Sequence, residues 1–144
     1  MKAKVTLSKG SSFKGVVESG HGVVMDVSPK LGGQNLGPRP MEMILLGLGG
    51  CTAIDVLQIL RKARQQVVNM EVQLEGKRSS EDPKVFKNIQ INFVLSGKKL
   101  DEHKVGRAIE LSAEKYCSVS MMLNKTADIS YDFKISETTD PTLS

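Results

Sequence analysis

The chain is predicted to fold as an α+β protein, on three observations. Short stretches alternating polar and apolar residues open the chain and recur beyond residue 70. One long apolar segment, from Met41 to about Arg64, interrupts them. A second, amphipathic segment between Asp101 and Cys117 precedes the last alternating stretch, so strands and helices are partly segregated rather than strictly alternating. The 144 residues, 40% apolar and 25% charged, have the length of one domain and an ordinary globular balance. A single domain is expected over residues 1–136, followed by a polar C-terminal tail over 137–144.

Residues 2 to 7 (Lys2, Ala3, Lys4, Val5, Thr6, Leu7) alternate cleanly, and after a Lys-Gly-Ser-Ser turn Phe13 to Val17 and Val23 to Val27 continue the pattern. A small antiparallel meander follows. Ser28 to Pro40 contains three prolines and three glycines, which makes it a loop, and Pro40 suits the first turn of a helix. From Met41 the apolar residues fall nearly all round the helix until Ile54, then settle into stripes that end at Arg61, Lys62 and Arg64. Such a helix is expected to be buried, and its basic end matches the cation-favouring pole of the helix dipole. Gly47, Gly49 and Gly50 each cost about 1 kcal/mol against Ala in a helix interior, so a close backbone approach or a ligand is expected there.

Met70, Val72 and Leu74 alternate, a charged turn spans Gly76 to Pro83, and Val85, Phe86, Ile89, Ile91, Phe93 and Leu95 complete a long hairpin. Asp101 is a good N-cap for a second helix, whose inner stripe is Val105, Ala108, Ile109, Ser112 and Tyr116 and which runs to Cys117. A short helical piece around Val119 to Asn124 and a final strand, Asp128 to Ile135, end the pattern.

Composition narrows the function classes. Lys and Arg number 20 against 16 Asp and Glu, a net charge of only +4, and the basic residues are scattered. With 4% aromatics and no Trp, the pattern of a nucleic-acid binder is missing, and no nucleic-acid partner is expected. The longest uncharged run, Met43 to Ile54, is twelve residues, short of the roughly 20 that cross a bilayer, so no membrane partner is expected either. The N-terminal residues lack a secretory pattern, which makes the cytoplasm the expected location.

The residues that could carry chemistry are few. Cys51 and Cys117 stand 66 positions apart, too far for a local metal knuckle or a CxxC pair. Cys51 follows Gly49-Gly50, whose small size leaves its sulfur uncrowded, and Cys117 precedes the helical start Ser118-Val119-Ser120. A thiol at a helix N-terminus has its thiolate stabilised and its pKa lowered. Both cysteines also fit a plainer role as small buried hydrophobes. Glu42 heads the apolar helix, where the dipole favours a carboxylate. Nine positions separate it from Cys51, about 13.5 Å of helix rise, so it reaches the sulfur only by folding back or across an interface. Asp55, one turn after Cys51, reads as part of a polar helix face, since a carboxylate raises a thiol pKa. His21 and His103 share no ligand spacing with each other or with the cysteines, so neither a metal nor a cofactor is expected.

Three segments resemble the OsmC/Ohr family of osmotically inducible and organic-hydroperoxide-resistance proteins. Gly37-Pro-Arg-Pro-Met-Glu-Met-Ile-Leu-Leu-Gly-Leu-Gly-Gly-Cys51 is similar to the family's Pro-x-Glu helix leading to its first cysteine. Pro83-x-x-Phe86-x-x-Ile89-x-Ile91-x-Phe93 and Ala113-Glu-Lys-Tyr-Cys-Ser-Val-Ser120 follow in the family's order. The Pro-Met-Glu, Gly-Gly-Cys-x-Ala-Ile-Asp and Glu-Lys-Tyr-Cys-Ser-Val runs are closest to its YhfA-like branch.

The resemblance implies an OsmC-like fold, antiparallel sheets around a long buried central helix, in an intertwined homodimer whose close-packed helices would account for the glycines. It also implies a cysteine-based hydroperoxide reductase. Cys51 would attack a small-molecule hydroperoxide and become a sulfenic acid, Cys117 would condense with it to a disulfide, and a dithiol reductant would restore both. Glu42 would be the carboxylate of that site, although the family's Glu position falls on Met41. No Arg precedes Arg39, and Ser118 stands where the family has Pro. These departures give the alternative, a non-catalytic binding module of the same fold holding a small hydrophobic ligand among Met41, Met43, Leu45 and Met121.

Overall fold

Alternation in the first 25 residues produces three strands, β1 (Ala3–Leu7), β2 (Phe13–Val17) and β3 (Gly22–Met25), in an antiparallel sheet of order β1-β2-β3. In the computed structural model, which describes residues 1–137, they belong to the first of two units, Met1–Leu46, and the second begins at Gly47. The third strand stops two residues short of the expected Val27. Asp26 ends it: its buried carboxylate accepts the backbone N–H groups of Val27 at 2.8 Å, Gln34 at 2.9 Å and Leu36 at 3.3 Å, and the Ser11 hydroxyl at 3.2 Å. The Gln34 N–H foremost, with those of Leu36 and Val27, holds Asp26 below the usual carboxylate range against the opposing effect of burial. One side chain thus satisfies the backbone of a loop that has no ladder of its own. Gly33 and Gly37 allow the loop to lie on β3, since a Cβ there would come within 1.8 Å of the Val27 carbonyl oxygen and 1.9 Å of that of Val24.

Helix α1 (Pro40–Lys62) starts with Pro at its first position and ends where Arg64 takes a left-handed conformation, φ 59°, and the Gln65 N–H bonds back to the Leu60 carbonyl. The expected burial on all sides is not what forms. Leu48, Gly49, Thr52, Val56 and Leu60 make a buried stripe at helical spacing, while Leu46 and Ile54 stay 61% and 59% exposed. The glycines divide accordingly. A Cβ on Gly49 would meet the Leu74 side chain at 2.7 Å, whereas Gly47 and Gly50 face open space. At 23 residues and a mean hydropathy of 1.9 over its best window, α1 is long and apolar enough to cross a bilayer by length and composition, although its longest uncharged run is twelve residues. Its buried stripe accounts for part of that apolarity; only 28% of the window is buried, and Leu46 and Ile54 stand on the exposed flank.

In the second unit, β4 (Gln66–Arg78), β5 (Phe86–Lys98) and β6 (Asp128–Glu137) form a sheet of order β4-β5-β6. Phe86, Ile89, Ile91, Phe93 and Leu95 of central β5 fill the core with Val56, Leu60, Val105, Ala108 and Ile109. Strand β4 extends through Glu75 and Lys77, beyond the expected turn at Gly76, because an edge strand leaves one side free for charged residues. Strands β5 and β6 pair in parallel, Asn88 with Asp128 through Gly97 with Glu137, which departs from the wholly antiparallel arrangement expected. Parallel neighbours need a crossover, and the helical segments between them provide it.

Those segments are α2 (Glu102–Leu111), one π-helical turn over Ser112–Tyr116, and α3 (Ser118–Leu123). Asp101 caps α2 as expected, accepting the N–H groups of His103 at 2.9 Å and Lys104 at 3.2 Å. The π turn closes with the Cys117 N–H on the Ser112 carbonyl at 2.8 Å. It inserts a residue into the helical period after Ser112, so Ser112 is buried as expected while Tyr116, also expected on the inner stripe, is 52% exposed. The tail expected over 137–144 lies, from residue 138, outside the described residues.

Candidate functional site

Cys51 and Asp55 sit one turn apart on α1, and Cys117 lies between the π turn and α3. The two sulfurs and a carboxylate oxygen of Asp55 all lie within 4.8 Å of one another. Both thiols are free; Cys51 is half-buried and Cys117 is 1% exposed.

The π turn positions this cluster. The turn opens on Ser112 of the inner stripe, whose hydroxyl donates to Asp55 Oδ2 at 3.3 Å and lies 3.2 Å from the buried Thr52 hydroxyl. It also delivers Cys117 in an extended conformation, φ −75° and ψ 106°, as the N-cap of α3. The Ser120 N–H points at Cys117 Sγ at 3.4 Å, and the Ser120 hydroxyl donates to the Cys117 carbonyl at 3.1 Å.

The expected lowering of the Cys117 pKa is not the net result. Burial pushes the thiol up, the Ser120 hydroxyl and N–H pull the other way, and the neighbouring Cys51 adds to the rise. A six-residue helix has too little dipole to overcome the loss of solvent around a buried sulfur. Tyr131 of β6 belongs to the same environment. Burial raises its phenol, Ser120 opposes the rise, and the charge of an ionised Cys117 reinforces it.

The arrangement is suited to two-electron redox chemistry. One thiol is accessible, a second stands behind it, and a carboxylate is beside both; a modest closing of the sulfurs makes a disulfide. The same three groups are also of the kinds that bind a thiophilic divalent ion, a combination that sequence spacing did not disclose. Neither histidine joins them. His21 pairs with the Ser19 hydroxyl at 3.0 Å in an exposed turn, and His103 is exposed on α2.

Glu42 is exposed at the head of α1, where its carboxylate accepts the Arg39 N–H at 2.8 Å and faces Arg39 Nε at 4.0 Å. This is the reach-back half of a capping box. Sequence reasoning misses Thr52, and it puts Ser112 on an inner helical stripe, Ser120 at a helix start and Asp55 on a polar helix face without bringing any of them to the site. The one signal for Asp55 was its spacing, four positions after Cys51, which puts both on one helix face. Beyond Asp55 a cleft of about 380 Å³ opens, lined also by Gln58, Ile59, Lys62, Leu111 and Tyr116.

Comparison with known proteins adds the lineage. Residues 32–132 match a family model described as OsmC-like protein. Protein YhfA of Escherichia coli K12 is 43% identical over 135 residues, covering 94% of this chain and 98% of its own length. Among solved structures, a hypothetical protein from Aquifex aeolicus superposes with a TM-score of 0.84 at 30% identity, over 95% of this chain and 96% of that one. An organic hydroperoxide resistance protein OsmC from Legionella pneumophila superposes with a TM-score of 0.69 over 92% and 95% of the two chains; at 14% identity it shares the fold.

Proposed function

This chain belongs to the OsmC-like protein family, and from that premise we propose that it is a thiol-dependent peroxidase reducing organic hydroperoxides, with Cys51 attacking and Cys117 resolving. The Cys51 sulfur takes the distal peroxide oxygen, the O–O bond breaks, and the alcohol leaves with a proton. Cys117 then attacks the sulfenic acid, forming the disulfide and releasing water, and a dithiol reductant restores both thiols as it becomes a disulfide itself. The observation that carries the reading is the approach of two free thiols, 66 positions apart, to within 4.8 Å. Their order follows from accessibility, since Cys51 is the half-buried sulfur and Cys117 the enclosed one. The Legionella relative, described as an organic hydroperoxide resistance protein, supports the choice of substrate class.

The exposed apolar flank of α1, with Ile44, Leu46 and Ile54, favours a homodimer. Glu42 enters as the carboxylate that acts across that interface, held meanwhile by Arg39. Activity is placed in the cytoplasm, where thiols are kept reduced.

Stopped-flow mixing of reduced protein with cumene hydroperoxide tests the reading. One equivalent is consumed rapidly and the product mass falls by two hydrogens; Cys51→Ser abolishes both. Consumption no faster than by a free thiol overturns it. Glu42→Gln is expected to slow the first oxidation by about tenfold or more; an unchanged rate confines Glu42 to capping its helix.

A further inference from the structure

We propose that Asp55 is the acid–base group of the disulfide-forming step, taking the Cys117 proton and handing it to the hydroxyl that leaves Cys51. The proposal rests on the peroxidase reading and adds to it a catalytic residue outside the cysteine pair.

The geometry supports the assignment in three ways. An Asp55 carboxylate oxygen lies within 4.8 Å of both sulfurs, a span that one bridging water or a small torsion closes. The carboxylate is also aimed: buried Ser112, itself tied to Thr52, donates to its Oδ2 and leaves the remainder of the group free to accept from a thiol. On its far side Asp55 lines the cleft of about 380 Å³, a path for protons to solvent.

The chemistry needs such a group. Cys117 is enclosed, and burial keeps its thiol protonated at neutral pH, so it attacks as S–H unless a neighbour takes the proton. In the step, an electron pair of the Cys117 sulfur forms the S–S bond and the Cys51 S–O bond breaks with its pair on oxygen. The Cys117 proton passes to Asp55 and from there to the departing hydroxide, which leaves as water. The carboxylate is regenerated, and no further reactant is required.

Asp55→Asn preserves size and the acceptor for Ser112 while removing the base. Ellman's reagent reads the step apart from peroxide. A first thionitrobenzoate is released as Cys51 forms a mixed disulfide, and a second as Cys117 displaces the bound one. In Asp55→Asn the second release is expected to slow about 100-fold. It should also rise about tenfold per pH unit where the unsubstituted protein is flat. Among the described residues, the other titratable or charged groups of the cluster and its cleft are Cys51, Cys117, Lys62 and Tyr116, with Tyr131 beyond Cys117, and the single-site variant leaves all of them in place. With cumene hydroperoxide, the variant accumulates Cys51 sulfenic acid that dimedone traps.

Equal second-release rates and pH profiles in the two proteins overturn the proposal. If Asp55→Asn does not fold, Ser112→Ala keeps the carboxylate but frees it to wander. A slowing of about tenfold then supports the proposal, and an unchanged rate overturns it. Failure of the unsubstituted protein to consume cumene hydroperoxide and form the Cys51 to Cys117 disulfide counts against the peroxidase reading alone, because thionitrobenzoate release still decides the role of Asp55.

Discussion

The sulfurs of Cys51 and Cys117 lie within 4.8 Å of each other although 66 positions separate them in the chain. One comes from the fourth turn of α1, the other from the break between a π turn and α3. The break matters chemically: it takes Cys117 out of the helix, encloses it, and leaves Cys51 as the sulfur a substrate meets first.

Loss of the resolving thiol should trap the first oxidation product. Cys117→Ser is expected to react once with hydroperoxide, gain one oxygen in mass and stop. Turnover with a dithiol should fall by about 100-fold or more. Intact-mass spectrometry after one equivalent checks this, and a disulfide-sized mass loss in the variant contradicts the assignment.

Alkaline pH should weaken the reduced fold through Cys117. Its folded pKa is raised above the ordinary 9.0 by burial, so the native state favours the neutral thiol. That contribution is complete below about pH 9 and is lost as pH rises toward the folded value, where the unfolded chain has already ionised. Urea midpoints between pH 8 and 11, measured under dithiol, should therefore fall more steeply for the unsubstituted protein than for Cys117→Ser. Tyr131, raised for the same first reason, adds a loss in both proteins that is smaller in Cys117→Ser, where the charge of an ionised Cys117 is gone.

Acid pH should act on the first unit through Asp26. Its pKa is lowered by the N–H groups of Gln34, Leu36 and Val27, so its contribution is present above the ordinary carboxylate value of 3.8. It disappears as pH falls through the lower folded value. Asp26→Ala is expected to loosen the loop from Val27 to Leu36 at pH 7, seen as faster amide exchange at Gln34 and Leu36, and the difference from the unsubstituted protein should close as pH falls through the lowered folded value.

Association should depend on the outer flank of α1. Ile54 is 59% exposed beside the open Gly50, a surface suited to a second copy of the helix. Ile54→Lys is expected to convert a dimer to a monomer in sedimentation at micromolar concentration, with helix content retained. A monomeric unsubstituted protein rules out the homodimer.

The sequence by itself determined the element order. Alternation in β5, the Asp101 cap and the loop-forming prolines and glycines are local properties, and each element built on them is present within a few residues. The family was legible for the same reason, since Pro-Met-Glu, Gly-Gly-Cys and Glu-Lys-Tyr-Cys-Ser-Val are contiguous strings. Tertiary structure alone decided which residues meet. The π turn is one extra residue in a helical repeat, invisible to a 3.6-residue pattern, yet it leaves Tyr116 outward and takes Cys117 out of the helix beside Cys51 and Asp55. Asp55 read as a polar helix face because its partners, Ser112 and Cys117, lie 57 and 62 positions away. The Cys117 pKa likewise followed burial, which depends on the whole core, rather than the helix end that follows it.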